Sequence, residues 1–263
     1  MMLKAYFDDS GTHHTAPVLS VGGLIGTESQ WTAFDGAWKF ALLEPLPGKP
    51  RIKQWATADC RSGDGEFEGY SQADRDAVTR RFRMIIAESG VVSLNSVIDV
   101  QAWTELVVNG GRTKMGSAEE FCVVSCVLNT LAYAYANPDG RQVAIYYDAG
   151  RQRKSGKLDK IRDIFLRRAF ENTKVVSFTF GKVVDYTPLQ GADLVATESY
   201  WLAQDWLKAG AAAQPRPHFK DFIERVNGAG YILDRAAIEG ELKNRNPDGS
   251  LKPGVSPLLW QRS

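Results

Sequence analysis

Cysteine is scarce. The chain has only Cys60, Cys122 and Cys126 among 263 residues. So few, and an odd number, argues against a disulfide framework and fits a reducing compartment. A structural zinc site needs about four ligands, and no histidine stands near Cys122 and Cys126. Those two are four residues apart and share a helix face, so they are expected to pack as small hydrophobes. An excess of one charge sign is also missing. The net charge is +1, which gives no whole-chain basic field for nucleic acid and leaves only a local basic face open. No apolar run approaches the ~20 residues of a membrane span. No charged stretch followed by an apolar one opens the chain, so no signal peptide is expected, and a cytoplasmic protein without a membrane segment is the expectation.

What is present is ordinary globular composition, 44% hydrophobic and 24% charged, enough to bury a sizeable core. Period-2 alternation predicts a strand over Leu3–Asp8. A second apolar run, Val18–Ile25, holds Gly22-Gly23, which suggests a bulge or a close backbone approach. Trp31, Phe34, Trp38 and Leu42 recur at helical spacing, and Pro45 and Pro47 end that helix. Residues 44 to 70 read as an irregular loop, a length that is often functional or mobile. Ser71 and Asp74 resemble a capping box for a helix reaching Glu88, whose outer face carries Arg75, Arg80, Arg81 and Arg83.

Val91–Val100, Val143–Asp148 and Val175–Phe180 complete five predicted strands. Helices are predicted over Ala118–Ala136, Leu158–Phe170 and Leu189–Leu207, the last capped by Thr187 with Pro188 at its favoured first position. A turn is expected at Asn137–Gly140 and a basic loop at Arg151, Arg153, Lys154 and Lys157. Past Gly210 the pattern weakens to a break at Pro215–Pro217, a short helix from His218, and a tail packed through Leu258, Leu259 and Trp260. Strand–helix alternation after an early hairpin predicts an α/β fold, a mixed five-stranded sheet flanked by helices. One domain is expected, with a core over about residues 1–208, a helical insert over about 44–90 and a C-terminal extension over 209–263.

Asp8 and Asp148 each end a predicted strand, the edge where α/β sheets bind ligands. On neighbouring strands their Cα atoms would lie roughly 5 Å apart. Asp193 falls near the start of the last long helix, on one face with Gln190 and Thr197. Taken singly, Asp9-Ser10-Gly11 and Asp148-Ala149-Gly150 are good turn sequences, and an acid near a helix N-terminus suits the macrodipole. Together the three acids would repel one another and gain protons. A divalent cation removes that conflict, and oxygen-only ligands select Mg²⁺ or Mn²⁺. Two such ions about 4 Å apart can serve phosphoryl transfer.

Tyr6-Phe7-Asp8-Asp9-Ser10-Gly11 resembles the opening Tyr-Ile-Asp-Glu-Ser-Gly signature of the domain-of-unknown-function family numbered 3800, placed in the RNase H-like superfamily. Leu189-Gln190-Gly191-Ala192-Asp193-Leu194-Val195-Ala196 resembles its downstream Leu-Gln-x-Ala-Asp-x-x-Ala signature. Ile145-Tyr146-Tyr147-Asp148 is similar to its strand-terminal Asp, and Val18–Ile25 to its second strand. The resemblance spans about residues 3 to 208. It implies an RNase H-like fold and a metal-dependent nuclease that hydrolyses phosphodiester bonds by a carboxylate-held two-metal mechanism. Asp8, Asp148 and Asp193 would hold Mg²⁺ or Mn²⁺, and Asp9 would take the place of the family's Glu. Ser10 and Gln190 would contact substrate or support the acids.

The family's His-x-x-acid element has its nearest match at Ala56-Thr57-Ala58-Asp59, with Trp55 where a histidine would precede it. Asp59 is the expected fourth acid, with Glu66, Glu68 and Glu198 as weaker alternatives. His13 and His14 are candidates for acid–base work. Arg151, Arg153 and Lys154 are the expected backbone contacts to a nucleic-acid partner, with the arginine face of residues 75–83 beside them. The rival readings are a catalytically weak or inactive nucleic-acid-binding or scaffold module on the same fold, and strand transfer to a 3′ hydroxyl.

Overall fold

A computed structural model describes residues 2–13, 15–136, 142–150, 159, 175–209 and 225–252. Six strands form one sheet in the order β5-β4-β1-β2-β3-β6. They are β1 (Met2–Ser10), β2 (Val18–Gly26), β3 (Val92–Asp99), β4 (Gln142–Asp148), β5 (Val175–Gly181) and β6 (Gly228–Leu233). β2 runs antiparallel to both β1 and β3, whereas β4 is parallel to β1, β5 to β4, and β6 to β3. Seven α-helices lie among the described residues. They are α1 (Glu28–Leu43), α2 (Thr57–Ser62), α3 (Gln72–Ser89), α4 (Val100–Trp103), α5 (Ala118–Ala136), α6 (Thr187–Ala209) and α7 (Arg235–Lys243). None is long and apolar enough to cross a membrane.

The alternation in β1 sorts the two layers. Leu3, Ala5 and Phe7 face a core shared with α5, where Cys122 and Cys126 are buried as free thiols. Tyr6 faces the opposite core, built from α1, α3 and α6. Burial pushes the Cys122 thiol up to about 12, which makes it a poor nucleophile or ligand.

The expected five-stranded sheet is corrected to six, because the C-terminal extension supplies β6. Its Gly228 and Gly230 permit close pairing. A Cβ on Gly228 would stand 2.8 Å from the Ser93 carbonyl oxygen, and one on Gly230 would run into Asn95. The stretch at 44–70 is not an irregular loop throughout. It forms α2 and a 3₁₀ turn at Gly65–Phe67, and the buried Trp55 ring packs against both Phe67 and Phe82. The capping box at Ser71 and Asp74 is present.

Several expectations lie outside the described residues. They are the turn at Asn137–Gly140, the basic loop with Arg151, Arg153, Lys154 and Lys157, the helix Leu158–Phe170 apart from Asp159, the break at Pro215–Pro217, the start of the helix from His218, the tail at Leu258, Leu259 and Trp260, and His14.

Candidate metal centre

Strand pairing brings the first two acids together. The parallel register pairs Phe7 with Tyr147, and one more residue along both strands sets Asp8 beside Asp148. Both follow the alternation of Tyr6 and Tyr146, whose rings stack at 4.7 Å on the α6 side of the sheet. Asp9 is one residue further and so turns to the other face, where its Oδ1 lies 3.4 Å from the Tyr147 hydroxyl, which donates to it.

Helix α6 delivers the third acid. The cross-strand partner of Asp8 is Gly22, and α6 rests directly on it. A Cβ at Gly22 would stand 2.6 Å from the Ala196 backbone. A side chain there would therefore lift the helix from the sheet, which is the close approach that the paired glycines suggested. Asp193 lies one turn before Ala196 and is carried over the ends of β1 and β4.

Each carboxylate is anchored by a backbone amide. The Asp9 N–H donates to Asp8 Oδ1 at 2.7 Å, the Gly150 N–H to Asp148 Oδ2 at 3.0 Å, and the Thr57 N–H to Asp193 Oδ2 at 2.8 Å. The Thr197 hydroxyl adds a long contact to Asp193 Oδ1 at 3.5 Å. All three acids are half-buried. Burial raises the pKa of Asp8 well above the ordinary carboxylate value, and the charges of Asp193, Asp9 and Asp148 raise it further. Burial also raises Asp148, helped by the charge of Asp193 and opposed by the Gly150 amide. Asp193 is raised by burial and by Asp59, while its bonds to Thr57 and Thr197 oppose the shift.

Such a cluster can relieve its repulsion by taking up protons or by taking up a cation. The donor set is all oxygen, anionic and mutually repelling, which fits a hard divalent ion. Asp8, Asp148 and Asp193 are the candidate ligands for one. Among the described residues, no three acids, cysteines or histidines already stand at closed ligand geometry.

The other expected site residues have distinct places. Asp59 is exposed on α2, close enough for its charge to reach Asp193. Gln190 is buried, and its Oε1 accepts from the Trp38 indole at 3.0 Å and the Trp55 amide at 2.9 Å. Through Trp55 it fixes the segment whose Thr57 amide holds Asp193. Ser10 pairs with Ser20 at the end of β1. Glu66 accepts from the Lys53 amide and Glu198 is paired with Arg83. His13 is exposed. Trp55, just before Ala56, is buried and donates to the Thr57 hydroxyl at 2.9 Å. The Thr57 amide escapes a sequence reading because a backbone donor leaves no mark in residue type.

No family model matches the chain, so the resemblance to the domain-of-unknown-function family numbered 3800 rests on the motifs themselves. No curated protein matches it. Among solved structures, the chain is similar to one in the PCNA:RNase HII complex from Archaeoglobus fulgidus, with 15% identity, 85% of this chain and 87% of that chain covered, and a TM-score of 0.34.

Proposed function

We propose that the protein is an RNase H-like, Mg²⁺- or Mn²⁺-dependent nuclease that hydrolyses phosphodiester bonds of nucleic acid. One observation carries the reading. Asp8 and Asp148 end adjacent parallel strands, and α6 brings Asp193 to the same sheet face, near enough for its charge to raise the pKa of both. The sheet order supports the fold assignment: β1, β2 and β3 are consecutive and antiparallel, and β4 and β5 follow parallel to β1 on its other side. In this reading Asp8, Asp148 and Asp193 would hold the ion, with Asp59 as the nearby fourth acid. The amides of Asp9, Gly150 and Thr57 hold the carboxylates in place, so little reorganisation is left for binding. A bound divalent ion would stabilise charge on the phosphate oxygens and lower the pKa of the attacking water.

The test is cleavage of labelled DNA and RNA oligonucleotides in Mn²⁺ by the wild type and by Asp8→Asn, Asp148→Asn and Asp193→Asn. Each substitution is expected to lower the rate by at least about a hundredfold, the scale at which losing a charge-stabilising group is felt, with the folded protein retained. Equal residual cleavage by all three variants would mark a contaminant and overturn the reading.

A further inference from the structure

A cavity of about 470 Å³ opens next to the carboxylates, between α2, α3 and α6. Thr57 and Thr197 line it, and both bond Asp193, so the cavity and the acid cluster share a wall. Its charge is opposite to that of the cluster. Arg61, Arg75, Arg80 and Arg83 line it against Asp76 and Glu198. Glu198 is engaged by Arg83, and the two side chains are only 14% and 8% exposed.

Three of the four cations, Arg61, Arg75 and Arg83, are held in place by the protein. The Arg61 guanidinium lies 3.4 Å from the centre of the Trp201 ring, a cation–π contact. Arg75 donates to the Tyr70 carbonyl at 2.7 Å and to Gln72 Oε1 at 2.6 Å. Arg80 is exposed and lines the same cavity. Surface arginines are ordinarily just solvated, but these converge on one concave space of the size that ligands fill. Planar guanidinium groups match phosphate oxygens in pairs.

The spacing suits a polymer. Asp193, Thr197 and Trp201 follow one another every four residues along α6, so the cavity extends from the acids by about 6–12 Å. That span corresponds to roughly two to four nucleotides of a stacked strand, at about 3.4 Å each.

We propose that this cavity binds a non-scissile phosphate of the nucleic-acid strand whose phosphodiester reaches Asp8, Asp148 and Asp193, an inference that rests on the nuclease reading above. An internal and a terminal phosphate offer the same oxygens, and the terminal one adds a second charge. The test is fluorescence anisotropy of a short single-stranded oligonucleotide across a KCl series in EDTA, with 5′-phosphate and 5′-hydroxyl ends compared. R61A and R80A are each expected to weaken binding several-fold and to flatten the slope of log affinity against log salt by about 0.7, the value for one lost phosphate contact on a single strand. R81A is expected to bind like wild type, because Arg81 turns away to the Glu44 and Pro45 carbonyls. A 5′-phosphate preference that R80A abolishes assigns the terminal phosphate, and equal loss with both ends assigns an internal one. Affinity and salt slope unchanged in both R61A and R80A, with thermal melts matching wild type, would overturn the proposal, as would a wild type that binds no oligonucleotide. The two readings fail separately. Arginine-dependent binding without Asp8-dependent cleavage removes the nuclease and keeps the anion site, and the converse removes only the anion site.

Discussion

At Asp8, a proton and a cation compete for the same carboxylate. The pKa values of Asp8, Asp148 and Asp193 are all raised in the folded chain. A group with a raised folded pKa contributes stability that is fully present below its unfolded value, about 4 for a carboxyl, and is lost as pH rises through the folded value. Without divalent ions the wild type should therefore weaken relative to Asp8→Asn as pH rises above about 4. In EDTA at neutral pH, Asp8→Asn is expected to melt above the wild type by a few degrees, at about 2–4 °C per kcal/mol for a chain of this size. At pH 4 the two should nearly coincide. Added Mn²⁺ should raise the wild-type melt and leave the variant unmoved. Scanning fluorimetry checks all three, and an Asp8→Asn melt below wild type in EDTA at neutral pH would contradict the account.

Gln190 carries a different prediction. Its Oε1 satisfies the buried Trp38 indole and Trp55 amide. Gln190→Leu leaves both donors without a partner and should cost about 2–4 kcal/mol, as buried unsatisfied groups do, measured by urea denaturation. The helical spacing of Gln190, Asp193 and Thr197 was legible in the sequence. The task of Gln190 was not, because its partners lie more than a hundred residues away.

Among elements, the seating of α6 on β2 decides whether Asp193 reaches Asp8. Gly22→Ala would push the Ala196 backbone away. Overpacking of this kind typically costs about 1–3 kcal/mol, and here it should weaken Mn²⁺ binding in the same variant. Asp193→Asn should weaken binding without that loss of stability. Calorimetric titration and denaturation of both proteins check the contrast. The need for close approach was readable from Gly22-Gly23, whereas the approaching helix was not. The reverse holds for Asp9: its alternation with Asp8 was visible in the sequence, but its place opposite the cluster follows only from knowing which sheet face α6 covers. The insert around Trp55 resisted reading for another reason. Trp55, Phe67 and Tyr70 are buried one at a time along non-periodic chain, so no helical or strand period announces them.

Across the whole molecule, sheet order turns distant sequence motifs into one site. Five strands could be read from local alternation, but their order depends on pairings that no local pattern encodes. β6 escaped because its glycines look like breaks and its partner β3 lies far upstream. Its role is nevertheless structural. β6 covers the edge of β3, and Leu233 and Ile238 are buried in the core on the α5 side. A chain ending at Ala209 would leave that strand edge and apolar surface open, a recognised route to aggregation. Size-exclusion chromatography is expected to show it as aggregate beside a well-behaved full chain.

The most direct measurement of the central claim is an anomalous difference map from crystals soaked in Mn²⁺. A peak is expected within about 2.0–2.4 Å of carboxylate oxygens, the range of hard oxygen-ligated cations, between Asp8 and Asp148 with Asp193 beside it. A well-ordered site with no peak there, and its three carboxylates turned apart, would contradict that claim.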